Sequence, residues 1–316
     1  MKRLLVVMLV LAMLVGLFAT TFAAKKLTIA GIVFQEDQFM KTVLNGMKEA
    51  ADKYGVDLLT SNTANQVTKE VEVVNTYTAR KVDAICITAL DAKASVPALK
   101  AAHDAGIKVV CFNSPINADF PVSTIASSNA DLGSTSGKAA AQYIKTALKG
   151  RKTIKVATLN FKPQLPADSD ARENGFLDQI KNLPGVQVVS QQAAWTVDMA
   201  VPKAGDIITA NPDLAIMYGC NDGGTKGCAL AAKNAGKKIA VFGIDVDQQA
   251  ADMLLSKDNI LQAVTGQDPF KIGYMSVEFA IKALQGEKTE KTVVVPGKLF
   301  SRTDKNLAAT LDAALK

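Results

Sequence analysis

Residues 27–55 read LTIAGIVFQEDQFMKTVLNGMKEAADKYG, and two periodicities in that stretch decide the fold. Leu27–Phe34 is a β-branched apolar run of strand length. From Phe39 onward, Met40, Val43, Leu44, Met47, Ala50, Ala51 and Tyr54 recur at helical spacing. The pattern then repeats: residues 56–60, 82–89 and 107–113 predict strands, and 67–80 and 95–105 predict helices, the second stopped by Gly106. After Asn129 the rhythm restarts, with helices at 131–149, 169–182, 198–210, 223–235, 248–257 and 269–284. Strands are predicted among them at 153–159, 186–190, 214–218, 238–244, 260–265 and 292–295. Near-continuous apolar strands alternating with amphipathic helices imply parallel sheets covered on both faces. Two such runs imply an α/β protein of two doubly wound parallel-sheet lobes.

The composition agrees. A chain of 316 residues has the length of about two domains. Its 48% hydrophobic and 21% charged residues suit a sizeable core. Residues 1–23 carry the marks of a cleaved secretory signal: Lys2 and Arg3, an apolar run from Leu4 to Phe18, then Thr21 and Ala23 in small-x-small spacing. That run is shorter than the roughly 20 residues of a spanning helix. Cleavage is expected near Ala23, giving an exported, periplasmic protein. Loss of Lys2 and Arg3 lowers the net charge from +6 to +4, with no dense basic cluster, so nucleic acid is not an expected partner. Cys86, Cys111, Cys220 and Cys228 form no CxxC pair, and His103 is the only histidine. The cysteines read as buried free thiols, His103 as a surface or helix-end residue, and neither a metal nor a cofactor is expected.

In open parallel sheets a ligand lies beyond the carboxyl ends of the strands. The residues there are Gln35-Glu36-Asp37-Gln38-Phe39, Asp91, Asn113-Ser114, Asn160, Asn221-Asp222, Asp245 and Gln267-Asp268. Amides and carboxylates with aromatics nearby suit a ligand bearing many hydroxyls, because each hydroxyl donates and accepts. Asp245 has a competing role as the cap of the following helix, and Asp222 reads better as a cap than as a ligand contact.

The chain resembles the periplasmic ribose-binding family, the type I sugar-binding proteins of ABC importers. The likeness rests on residues 46–55 (GMKEAADKYG), 125–129 (IASSN), 172–176 (RENGF), 211–213 (NPD), Asn221-Asp222, Gly243-Ile244-Asp245 and Gly266-Gln267. It implies the periplasmic binding protein type I fold, two lobes joined by a three-crossover hinge near Ser127, Gln267 and Val295. The first lobe would hold residues 25–127 with 268–295, and the second 128–267 with 296–316. It also implies a small sugar trapped between the lobes, an ABC permease as the membrane partner, and a monomer. Under the resemblance, Glu36, Asp37, Phe39, Met40, Asn113, Ser114, Arg172, Trp195, Asn221, Asp245 and Gln267 are the candidate ligand-binding residues. Phe39 and Trp195 would pack on sugar C–H faces, Arg172 would donate, and Asp245 would accept. Asn113 and Ser114 stand where ribose binders have an Asp-Arg pair. That departure, with Met40, Cys111 and Cys220 placed nearby, implies a less ionic pocket and a pentose or substituted pentose such as a deoxy- or methylthio-ribose, or a related polyol.

Rival functions fare worse. The turn 34–39 has no glycine, against a dinucleotide site, and residues 223–227 (GGTKG) lack phosphate-loop spacing. No enzyme is expected. A sugar-responsive transcription regulator needs a DNA-reading segment before the first lobe, where this chain has only the signal-like stretch and two lysines. A sugar sensor or chemoreceptor partner stays open as an alternative, since it would use the same closed form.

Overall fold

The computed structural model describes residues 26–315, so the predicted signal segment 1–23 lies outside the described residues. Within them the chain forms two six-stranded sheets with helices on both faces. The first begins with β1 (Thr28–Val33), α1 (Gln38–Tyr54), β2 (Asp57–Asn62), α2 (Val67–Ala79), β3 (Ala84–Ile87), α3 (Val96–Asp104), β4 (Lys108–Phe112) and β5 (Ser123–Ala126). The second follows with α4 (Asn129–Thr146), β6 (Ile154–Asn160), α5 (Pro166–Ile180), β7 (Val186–Ala193), α6 (Val197–Ala210) and β8 (Leu214–Gly219). It continues through α7 (Asp222–Asn234), β9 (Ala240–Ile244), α8 (Gln248–Leu255) and β10 (Leu261–Gly266). The chain ends with α9 (Pro269–Leu284), β11 (Thr292–Val294), β12 (Lys298–Ser301) and α10 (Leu307–Leu315). No helix of the described residues is long and apolar enough to cross a membrane.

The sheets repeat one topology. Their orders are β11-β5-β4-β3-β1-β2 and β12-β10-β9-β8-β6-β7. Every pairing is parallel except β10 with β12, which is antiparallel. The chain passes from the first sheet to the second after β5, returns after β10 so that α9 packs on α1 and β4, and crosses again between β11 and β12.

The sequence signals hold element by element. All four residues of β3 and all five of β9 are buried, as strands covered on both faces must be. In the second lobe Phe176 stacks flat on Tyr218 with centroids 4.0 Å apart, and Phe242 lies alongside at 6.3 Å. Burying a large apolar side chain contributes about 1.5–3 kcal/mol, so this trio anchors α5 to the sheet. Helix α5 also meets α4 closely. A Cβ on Gly133 would sit 2.1 Å from the Arg172 carbonyl oxygen, so glycine there lets the two backbones touch.

Three elements had no sequence prediction: β5, β12 and α10. The two strands have only four residues each, too few for a period to show. Helix α5 starts three residues before its predicted start at Ser169, with Pro166 in its first turn. The four cysteines are free and buried. His103, in the last turn of α3, stacks against Phe120 at 5.1 Å.

Candidate ligand-binding site

The carboxyl ends of the two sheets face each other, and the side chains at their tips enclose a small cleft. Helix starts position several of them. The Asp37 carboxylate accepts the Met40 amide at the start of α1, at 2.8 Å. Asn221 accepts the Gly224 amide at the start of α7 and donates to the Trp195 carbonyl at 2.8 Å. Asp247, not Asp245, caps α8, so Asp245 is left free of a capping role. Its carboxylate accepts from Gln267 at 2.9 Å. Asn221 likewise takes the capping role that the sequence suggested for Asp222. Asp222 instead joins Asp247 in holding the buried Lys226 ammonium, each at 2.7 Å.

Arg172 is the fixed cation of the cleft. It is buried, its Nε donates to Asn129 at 2.7 Å, and Nη1 donates to the Cys220 carbonyl at 3.2 Å. The guanidinium lies 5.2 Å from the Phe161 ring centroid, a cation–π contact. These three interactions hold the side chain in one orientation before any ligand arrives.

The cleft is lined by Asp37, Phe39, Met40, Asn113, Arg172, Asn221, Asp245 and Gln267 of the sequence-named set. Three others do not line it. Glu36 is solvent-exposed. The half-buried Trp195 packs against the apolar core. Ser114 sits beside the lining, turned toward the other lobe, where its hydroxyl donates to Asp168 at 2.5 Å. Asn160, at the end of β6, is bonded to the buried Glu173 and is not part of the lining.

Sequence reasoning missed Phe34, Phe161, Leu165, Gln164 and Asp168, all of which line the cleft. Asp168 had a legible signal: it precedes Arg172 by four residues, which puts both on one helix face. Starting the helix at Ser169 concealed it. Asp168 brings one carboxylate from the facing lobe to the place where Asn113-Ser114 replace an Asp-Arg pair, and among the described residues no second arginine lines the cleft. The soft wall is corrected: Met40 lines the cleft, whereas Cys111 and Cys220 are wholly buried away from it.

Electrostatics follow from enclosure. Burial pushes the Asp245 carboxyl above the usual carboxylate range, against the opposing pull of Arg172 and the Gln267 bond. Burial likewise raises Asp168, opposed by Ser114, Arg172 and Asn129. It pushes Asp222 up to about 6 despite Lys226. A desolvated carboxylate that keeps its charge is a strong acceptor for hydroxyl donors.

The two lobes are bonded to each other across the opening. Gln164 donates to Gln35 and to Asn65, each at 2.6 Å, and the Ser114–Asp168 bond lies deeper. The enclosed space is about 40 Å³, room for about one water molecule. It continues along α1 into a groove of about 600 Å³ that shares Phe39, Asp222, Asp245 and Gln267. This is a closed arrangement. Among the described residues no group of three or more His, Cys, Asp or Glu side chains is placed to hold a metal ion.

Comparison with known proteins agrees with this geometry. Residues 31–288 match the periplasmic binding protein domain. The chain is 30% identical over 309 residues to the ABC transporter periplasmic-binding protein YphF of Escherichia coli, covering 94% of this chain and 93% of that one. It is 31% identical to the ribose import binding protein of Salmonella typhimurium, over 88% of this chain and 91% of the relative. Among solved structures, an ABC transporter solute-binding protein from Agrobacterium vitis bound with α-D-tagatopyranose superposes with a TM-score of 0.81. The two are 27% identical, over 92% of this chain and 99% of that one.

Proposed function

The chain belongs to the periplasmic binding protein family, and from that premise we propose that it captures a monosaccharide or related polyol between its lobes and delivers it to an ABC import permease. The observation that carries this reading is the convergence of Asp37, Phe39, Asn113, Arg172, Asn221, Asp245 and Gln267 on one enclosed space between two sheets. Carboxylates and amides accept and donate to hydroxyls, and the Phe39 ring offers a flat apolar face for sugar C–H groups. No nucleophile–base pair or metal cluster in the cleft calls for catalysis. Capture and release account for the whole arrangement, and the protein is read as a carrier, not an enzyme.

The lobe division proposed is 25–127 with 268–295 and 128–267 with 296–316, supported by the strand membership of the two sheets. The hinge then consists of the three crossings after β5, after β10 and between β11 and β12, and closure about the ligand follows the hinge motion of two-domain binders. The proposed protein is a periplasmic monomer, released by cleavage near Ala23, with the permease recognising the closed form.

The ligand proposed is of pentose scale, plain or carrying one substituted or missing hydroxyl. Phe34, Met40 and Leu165 supply the apolar wall that such a position would face. The test is differential scanning of the purified protein against pentoses, hexoses, inositols, and deoxy and methylthio pentoses. A melting rise of several degrees with at least one sugar is expected. No rise with any of them overturns the sugar reading. A large rise with plain ribose and none with the deoxy or thio analogues overturns the narrower one.

A further inference from the structure

Helix α5 carries two aspartates near its start, Asp168 in the first turn and Asp170 just after it, with opposite situations. Asp170 faces solvent and pairs with Lys162 at 2.8 Å. Asp168 turns inward, lines the cleft and accepts the Ser114 hydroxyl from the opposite lobe. An acidic residue in a first helical turn is favoured by the helix dipole, but a solvated one would serve that purpose. The dipole alone does not explain a carboxylate withdrawn from water and set against the far lobe.

Its surroundings explain more. Arg172, one turn on, is anchored by its bond to Asn129 at 2.7 Å. Arg172 offsets the Asp168 charge through space, and Asn129 lies between the two, accepting from Arg172 and donating to Asp168. Ser114 and Asn129 each supply one donor to Asp168, and neutral Asn113 lies beside Ser114, so the first lobe brings no cation to this end of the cleft. A carboxylate can accept about four hydrogen bonds. Asp168 therefore has acceptor capacity left on the side that faces the enclosed space.

We propose that Asp168 is a specificity-determining residue of the ligand cleft: it reads one donor group of the ligand, a hydroxyl or a protonated amine, at the edge facing Asn113 and Ser114. The inference rests on the sugar-capture reading and deepens it. A ligand without a donor at that position leaves a desolvated carboxylate unmatched, and one with an acidic group there meets like charge. Both are excluded. The Ser114 bond holds Asp168 in place and ties its reading to lobe closure.

The test is titration calorimetry of wild type, Asp168→Asn, Asp168→Glu and Ser114→Ala with D-ribose, D-arabinose, D-allose, D-tagatose and myo-inositol, and with positional monodeoxy analogues of whichever binds. In wild type, one deoxy isomer is expected to bind at least about tenfold more weakly than its parent, the cost of an unmatched buried acceptor. Asp168→Asn is expected to bring that isomer and its parent to within about threefold while leaving the other isomers' ratios unchanged. Ser114→Ala is expected to weaken all sugars by one common factor, since it loosens closure without removing the reader. A uniform loss across the panel in Asp168→Asn, or no change, overturns the proposal and leaves Asp168 a closure contact only. Should Asp168→Asn not fold, as judged by circular dichroism, Asp168→Glu decides through the same ratio. If wild type binds none of these sugars, the sugar-capture reading itself fails. Binding with an unaltered ratio refutes the role of Asp168 alone.

Discussion

Asn113 and Asp245 occupy the same place in the two lobes. Each follows the third strand of its sheet order, β4 or β9, with a left-handed backbone at φ 63° and 68°. Each donates its amide to the neighbouring strand, Asn113 to Ile125 at 2.9 Å and Asp245 to Thr265 at 3.0 Å. Asn and Asp tolerate this conformation better than other side-chain-bearing residues. The duplicated fold thus turns one side chain of each lobe into the shared cleft by the same backbone device.

That device makes the two positions separable by mutation. Asn113→Val is expected to lower stability by about 1–2 kcal/mol from the left-handed backbone alone, while Asn113→Gly keeps the fold and loses only the side chain. Asp245→Ala is expected to weaken sugar binding by about a hundredfold, the loss of charge-assisted bonds worth ~1.5–3 kcal/mol each. Denaturant melts and calorimetry on the three variants check both halves.

Gly133 sets the distance between α4 and α5, and through it the place of Arg172. Gly133→Ala puts a methyl group against the Arg172 carbonyl. Overpacking of this kind costs about 1–3 kcal/mol, and displacement of Arg172 is expected to reduce affinity as well. Thermal unfolding with and without ligand measures each effect. A variant of unchanged stability contradicts the packing described.

Acid is expected to favour closure. In the closed form, burial raises Asp168 and Asp245 and brings Asp222 to about 6. Opening returns water to all three and lowers them toward ordinary values. The closed form therefore holds protons more tightly, so closure is strengthened as pH falls and weakened as pH rises, Asp222 contributing through about 6. By the same sign, the burden of the raised Asp222 carboxyl on folding is absent below the unfolded range near 4 and fully present above about 6. Small-angle scattering of the unliganded protein from pH 7.5 to 5 is expected to show a decreasing radius of gyration. A constant or increasing radius contradicts the assignment.

Gln164 bridges the mouth of the cleft by donating to Gln35 and Asn65. Gln164→Ala removes both contacts and leaves the lining carboxylates and Arg172 untouched. The expected result is faster sugar dissociation, by about three- to tenfold, with stereochemical preference unchanged. Stopped-flow release measures it.

Much of this was legible beforehand, for identifiable reasons. The strands and helices of both lobes showed because fully buried parallel strands are continuous apolar runs and the helices keep a 3.6-residue stripe. Most cleft residues showed because strand tips can be found once strands are. Glu36 is exposed while its neighbours Gln35 and Asp37 line the cleft, because adjacent residues in a turn point in different directions. Trp195 was named for its type, yet it is its carbonyl that serves the site, by fixing Asn221. Gln164 lies in a strand-to-helix connection and Asp168 in the first turn of α5 that the predicted start at Ser169 left out, and no local period records a partner 54 or 129 residues away.

The most direct test of sugar capture is a mass spectrum of the small molecule released when the natively purified protein is denatured. A released species with the mass and fragments of a monosaccharide or polyol, lost when Asp245 and Arg172 are replaced together, is the expected result. Release of a peptide, a nucleotide or another molecule without a sugar-like polyol core would contradict it.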